Sequence, residues 1–98
     1  MTAAMDTIAF RRARAADLPA IIALLADDPL GREREVLGEP LAPVYERAFE
    51  AIDADPNQLL AVVTDEDRVV GTLQITFIAG LSRRGGVRGQ IEAVRIAA

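Results

Sequence analysis

The stretch from Leu59 to Ile78 constrains this chain most. Leu59–Thr64 (LLAVVT) is an unbroken apolar run, Asp65, Glu66 and Asp67 are polar, and Val69–Ile78 (VVGTLQITFI) alternates. Val69, Gly71, Leu73, Ile75 and Phe77 fall on one face of that second run, and Thr72, Gln74 and Thr76 on the other. A short apolar run bounded by turn residues reads as a buried strand, and alternation as a strand with one buried face. Two strands joined by so short a turn pair antiparallel, because parallel neighbours need a crossover of about a dozen residues or more. Whatever the chain folds into is built around this hairpin.

The residues before it supply helices. Ile8–Ala13 (IAFRRA) reads as a short first strand. Leu18, Ile21, Ile22 and Leu25 then recur at the spacing of an amphipathic helix. Pro19 fits only the first turn, which places the helix start near Ala15 or Ala16, and Asp17 sets a carboxylate at the positive end of the helix dipole. Asp27, Asp28, Pro29 and Gly31 stop it. Residues 27–40 (DDPLGREREVLGEP) read as a loop or a broken short helix. Leu41, Tyr45, Ala48 or Phe49, and Ile52 form a second helical stripe with Pro43 near its start. After the hairpin come a Gly- and Arg-rich loop, Ala79–Gly89, and a final strand, Gln90–Ile96 (QIEAVRI). The order β-α-α-β-β-β gives an α+β domain, with two N-terminal helices covering one face of a mainly antiparallel sheet.

The last strand carries a defect. Ile91 and Ala93 share one face, Val94 and Ile96 the other, so the apolar phase slips by one residue between Ala93 and Val94. A β-bulge there would bring all four to one core-facing side, and bulges gather beside functional sites. A strand buried on both sides has the same pattern. No turn or charged tail follows VRIAA, so the strand is expected at an unguarded edge unless something pairs with it.

Composition narrows the chemistry. With 98 residues, 51% hydrophobic and 27% charged, the chain has the balance of one soluble globular domain spanning residues 1–98. Cysteine and histidine are absent, which removes disulfides, the usual zinc sites, thiol nucleophiles and His-based triads. The carboxylates are not clustered at metal-ligand spacing, so no metal is expected. No apolar run reaches the roughly 18 residues of a membrane span, and Met1–Asp6 lacks the basic and apolar regions of a secretory signal. A cytoplasmic protein is expected. All eleven basic residues are arginine against fifteen acidic ones, and the net charge of −4 argues against a generic nucleic-acid binder. Residues 1–67 hold six Arg and fourteen acidic residues, whereas 68–98 hold five Arg and one Glu. The basic last third reads either as an anion-facing end or as solvated loops.

Four segments in this order, Ile8–Ala13, Ala16–Ile21 (ADLPAI), Val69–Leu73 (VVGTL) and Ile91–Ile96 (IEAVRI), resemble the first half of a GNAT-superfamily N-acetyltransferase over nearly the whole chain. The resemblance implies a bulged fourth strand that splays from the fifth to admit acetyl-CoA. Backbone groups from Val94 through Arg95 to Ile96 would then bind the acetyl carbonyl and the pantetheine arm. Such donors matter because negative charge develops on the thioester oxygen as an amine attacks. In the family a loop of the type R/Q-x-x-G-x-G/A follows at once and cradles the CoA pyrophosphate. This sequence stops at Ala98, before such a loop, so an incomplete domain that binds acetyl-CoA poorly by itself is expected.

The resemblance also assigns candidates. Glu92 matches the position of a glutamate that assists deprotonation of the amine, although a solvent-facing charge would look the same. Arg83 and Arg84, with Arg88, could meet an anionic acceptor or CoA phosphates, or belong to a solvated loop. Tyr45, with Phe49, lies where the family builds its acceptor wall, and equally fits helix core. Gln74 could line the same cleft. The expected function is acetyl transfer from acetyl-CoA to a primary amine of a small molecule or peptide, without a covalent enzyme intermediate. The alternative is a non-catalytic module that pairs through its last strand with a second copy, as a homodimer, or with a complementing chain. A third reading is a small ligand-binding domain that uses the Arg loop for an anion.

Overall fold

The computed structural model describes residues 7–97, so the signal-segment reading of Met1–Asp6 falls outside the described residues. The chain folds as β1 (Ile8–Arg12), a 3₁₀ turn (Ala15–Asp17), α1 (Leu18–Ala26), α2 (Pro29–Arg34), α3 (Pro43–Ala54), β2 (Gln58–Asp65), β3 (Arg68–Ala79) and β4 (Val87–Ile96). The strands form one antiparallel sheet in the order β1-β2-β3-β4. The α+β class and element order agree with the sequence reading, and the 27–40 segment takes its short-helix option as α2. No helix among the described residues is long and apolar enough to cross a membrane.

The hairpin turns on Glu66 and Asp67, both at positive φ (50° and 67°), the two-residue geometry that matches the twist of the flanking strands. α1 begins with Pro19 in its first turn, where the missing N–H has no helical partner to lose. Asp17, 8% exposed, fixes that start. It accepts both terminal nitrogens of Arg11 (2.8 and 2.9 Å) and the Arg14 N–H (2.7 Å), tying β1 to the helix.

The helices cover one face only. Val62, fully buried, packs with Ala13 and Ile21, and Leu25, Phe49, Leu60 and Val69 surround them. Cross-strand partners share a face, so Arg11 and Thr72 (opposite Val62), Gln74 (opposite Leu60) and Glu92 (opposite Gln74) also point to the helix side. This differs from the simple alternation expected for β3. A register shift opposite Val63 and Thr64 makes Val70 an extra residue, so Val69 joins the helix face while Gly71 does not. Thr72 is buried and satisfies its hydroxyl by donating to the Ala61 carbonyl (2.9 Å). The more apolar residues, Leu73, Ile75 and Phe77, line the opposite face together with Phe10, Ile91 and Ile96. No described element covers that face, and Phe10, Phe77, Ile91 and Ile96 are 58, 40, 61 and 70% exposed.

Candidate functional site: the bulged edge strand

The phase slip in β4 is a bulge. Thr72 faces Arg95 but Gln74 faces Glu92, so Leu73 alone opposes both Ala93 and Val94. Ala93 sits at φ +54°, the left-handed region usually filled by glycine at such bulges. The extra residue brings Ile91 and Ile96 to the same face, opposite Ile75 and Gly71. This is the uncovered face and not the core side expected from the pattern, because the helices pack on Val62 and Leu60 across the sheet.

The bulge also decides which backbone groups reach the open edge. Ala97 donates its N–H to the Val70 carbonyl (2.7 Å), two positions beyond the Arg95–Thr72 pair. In an antiparallel pair, alternate residues turn both backbone groups toward the neighbouring strand. Arg95 and Ala97 therefore face β3, and Val94 and Ile96 turn their backbone groups outward. Among the described residues no strand pairs with that edge. Gly71 lets the strands approach here: a Cβ would lie 3.0 Å from the Ile96 Cδ1 and 3.3 Å from the Arg95 carbonyl oxygen.

Glu92, just before the bulge, is exposed, and its carboxylate has no hydrogen-bond or ion-pair partner among the described residues. Its neighbour across the strand, Gln74, belongs to a polar group on the same face. The Gln58 Oε1 accepts from Gln74 Nε2 and Thr76 Oγ1, both at 3.0 Å. Gln58 and Thr76 were not among the sequence candidates. Only their place on the helix-side face, set by the register, brings them to Gln74.

The other candidates are placed apart. Tyr45 binds the loop after α2: its hydroxyl donates to Glu35 Oε1 (2.7 Å) and accepts the Val36 N–H (2.8 Å). Desolvation raises its pKa, the Val36 N–H opposes the rise, and Glu35 adds to it. Arg83 and Arg84 occupy the turn Ser82–Gly85 at φ 55° and 62°; Arg83, with Ser82 and Arg88, lines a cavity of about 500 Å³, and Arg84 does not. Val87 is five residues from Glu92, about 17 Å of strand, so this turn is not brought to the carboxylate. The Arg95 side chain leaves the edge for the helix side, where its Nε lies 3.4 Å from Asp28 Oδ2. Asp28 is also the N-cap of α2 and accepts the Gly31 N–H. That N–H lowers the Asp28 pKa most, with Arg95 adding to the effect against desolvation. In sequence Asp28 reads as a helix stop, yet Asp-Pro-x-Gly is also a capping signal.

No family model and no curated protein matches the chain. Solved structures do. A transcriptional regulator from Bacillus halodurans C-125 is 41% identical with a TM-score of 0.86, over 93% of this chain and 61% of its own. A glucosamine-6-phosphate N-acetyltransferase from Arabidopsis thaliana is 22% identical (TM-score 0.71; 94% and 61%). A predicted acetyltransferase from Clostridium acetobutylicum, solved with acetyl-CoA, is 16% identical (TM-score 0.60; 91% and 59%). The fold is that of the N-terminal part of the GNAT acetyltransferases. The chain spans about three-fifths of the length of these GNAT-fold structures.

Proposed function

We propose that this chain is the acyl-presenting part of an acetyltransferase, which moves acetyl from acetyl-CoA to a primary amine. The observation that carries the reading is the bulge at Ala93 and Val94, which leaves the Val94 and Ile96 N–H groups on an open edge beside Glu92. Those N–H groups suit a thioester carbonyl whose oxygen gains charge as the amine nitrogen attacks. Glu92 takes one proton from the ammonium, directly or through one water, which frees the nitrogen to attack. The C–N bond forms, the C–S bond breaks, and the second proton the nitrogen sheds passes to the departing thiolate, so that CoA leaves as its thiol. Gln58, Gln74 and Thr76 lie on the face from which the amine would approach. The use of acetyl-CoA draws support from the Clostridium acetobutylicum structure, which holds it.

The test follows CoA thiol release from acetyl-CoA with a panel of primary amines. It is run on the 98-residue chain and on the chain extended by whatever its reading frame adds. Turnover in the extended form, with weak acetyl-CoA binding by the 98 residues, is expected. Absence of both binding and turnover in every form refutes the reading.

The uncovered apolar face favours one rival, pairing through β4 and that face with a second copy or a complementing chain. Sedimentation decides it, since a monomer at high concentration with no acetyl-CoA chemistry supports neither.

A further inference from the structure

The Arg95 guanidinium makes two contacts that the acyl-presenting role alone does not call for. Its Nη1 donates to the Val94 carbonyl oxygen at 2.8 Å, and its Nε lies 3.4 Å from the Asp28 carboxylate. That Nε is shut off from solvent and has no hydrogen-bond partner among the described residues, so Asp28 is what compensates it. Asp28 is itself held in place, because its carboxylate caps α2 through the Gly31 N–H. Gly31 in turn sits so close to the end of α1 that a Cβ would fall 1.9 Å from the Leu25 carbonyl oxygen. A rigid helix junction thus reaches, through one side chain, the outward carbonyl of the bulge.

We infer that Arg95 is a positioning residue: anchored by Asp28, it caps the Val94 carbonyl and leaves the Val94 N–H as the unused group at that point of the edge. An edge strand normally offers donors and acceptors alternately, and an uncapped carbonyl next to a thioester oxygen would repel it. Capping by a cation removes the repulsion and adds positive potential where charge develops. The same contact couples the 27–40 loop to the acyl strand. The inference rests on the acetyl-transfer reading for its purpose but not for its structure.

The experiment uses nuclear magnetic resonance on the 98-residue chain, where the Val94 carbonyl shift reports the cap and amide exchange at Arg95 and Ala97 reports the strand. Asp28→Asn keeps an oxygen for the Gly31 N–H and removes only the charge. It is expected to move the Val94 carbonyl shift and speed exchange at Arg95 and Ala97 about threefold. Arg95→Met should do so about tenfold, and adding Asp28→Asn to it should change nothing further. In whichever form of the protein turns over, Asp28→Asn should lower kcat about threefold with the amine KM unchanged. An unmoved Val94 shift in Asp28→Asn, additive effects in the double variant, or exchange that rises equally through Leu59–Thr64 overturns the inference. If no form turns over, the acetyl-transfer reading fails while the resonance arm still decides the contact.

Discussion

Replacing Arg11 by methionine removes the guanidinium that fixes the start of α1 and keeps most of the apolar stem. In the folded protein, Asp17 is 8% exposed and accepts two nitrogens of Arg11 at 2.8 and 2.9 Å. After the change, the Arg14 N–H at 2.7 Å is its one remaining donor among the described residues. Two limits frame the cost. An exposed ion pair contributes roughly 0–1 kcal/mol, and breaking a fully buried one costs roughly 3–5 kcal/mol. The Arg11 side chain is 30% exposed and that of Asp17 9%, which places the loss near 2 kcal/mol. In a domain of this size that lowers Tm by roughly 10 °C. The pH dependence has a definite sign. The Arg11 hydrogen bonds depress the Asp17 pKa most, against desolvation, with the Arg14 N–H assisting. A depressed carboxyl contributes stability above its unfolded value, about 3.9, and loses it as pH falls toward the folded value. Urea unfolding followed by circular dichroism at pH 7, 5, 4 and 3 should show a constant gap between wild type and Arg11→Met down to about pH 4. Below that the gap should narrow. A gap under about 0.5 kcal/mol at pH 7, within the range of an ordinary surface substitution, would refute the reasoning. So would one that fails to narrow before acid unfolding.

Three further outcomes are expected. Gly31→Ala, whose Cβ would overlap the Leu25 carbonyl oxygen at 1.9 Å, should cost about 3 kcal/mol in urea unfolding; wild-type stability would mean that the helices do not meet so closely. Ala93→Gly should gain about 0.5–1 kcal/mol by relieving the +54° φ, and Ala93→Val should lose about 2 kcal/mol or more; the reverse order would place the bulge elsewhere. In whichever form of the protein turns over, Glu92→Gln should lower kcat at least about a hundredfold, and an unchanged kcat withdraws the proton-acceptor role.

Period and punctuation made the elements legible. Leu18, Ile21, Ile22 and Leu25 marked α1, and the polar residues after Thr64 marked the hairpin. Pro19 marked the first turn of α1, although the residues expected to open it, Ala15 and Ala16, form a 3₁₀ turn instead. What they did not reveal is which side of the sheet the helices take. A run such as LLAVVT is apolar on both faces, so it supports either choice. The clean alternation of β3 then points toward Leu73, Ile75 and Phe77, the face the described helices leave open. The helices take the other face because Leu60 and Val62 supply its apolar surface, while Thr72 enters the core by spending its hydroxyl on a backbone carbonyl. A polar residue that finds such a partner is indistinguishable in sequence from one that meets water. The bulge at Val70 is hidden for a similar reason, since Val69 and Val70 are both valine and no phase is seen to slip.

At Ala93 and Val94 the slip is visible because the residues on either side differ in polarity, and this made the bulge readable where the side-chain placements were not. Chemistry carried by N–H groups leaves no residue signature. It leaves a register signature, and only where one face of the strand is apolar enough to show the shift. The Asp28–Arg95 contact leaves neither. Its partners lie 67 positions apart, and each has a sufficient local explanation: a helix cap for Asp28, and a charge on an alternating strand for Arg95. The bulge itself brings them together. Without the extra residue, Arg95 would fall on the opposite face of the sheet from Asp28, so the defect that presents the Val94 N–H also turns toward the helices the side chain that caps its carbonyl.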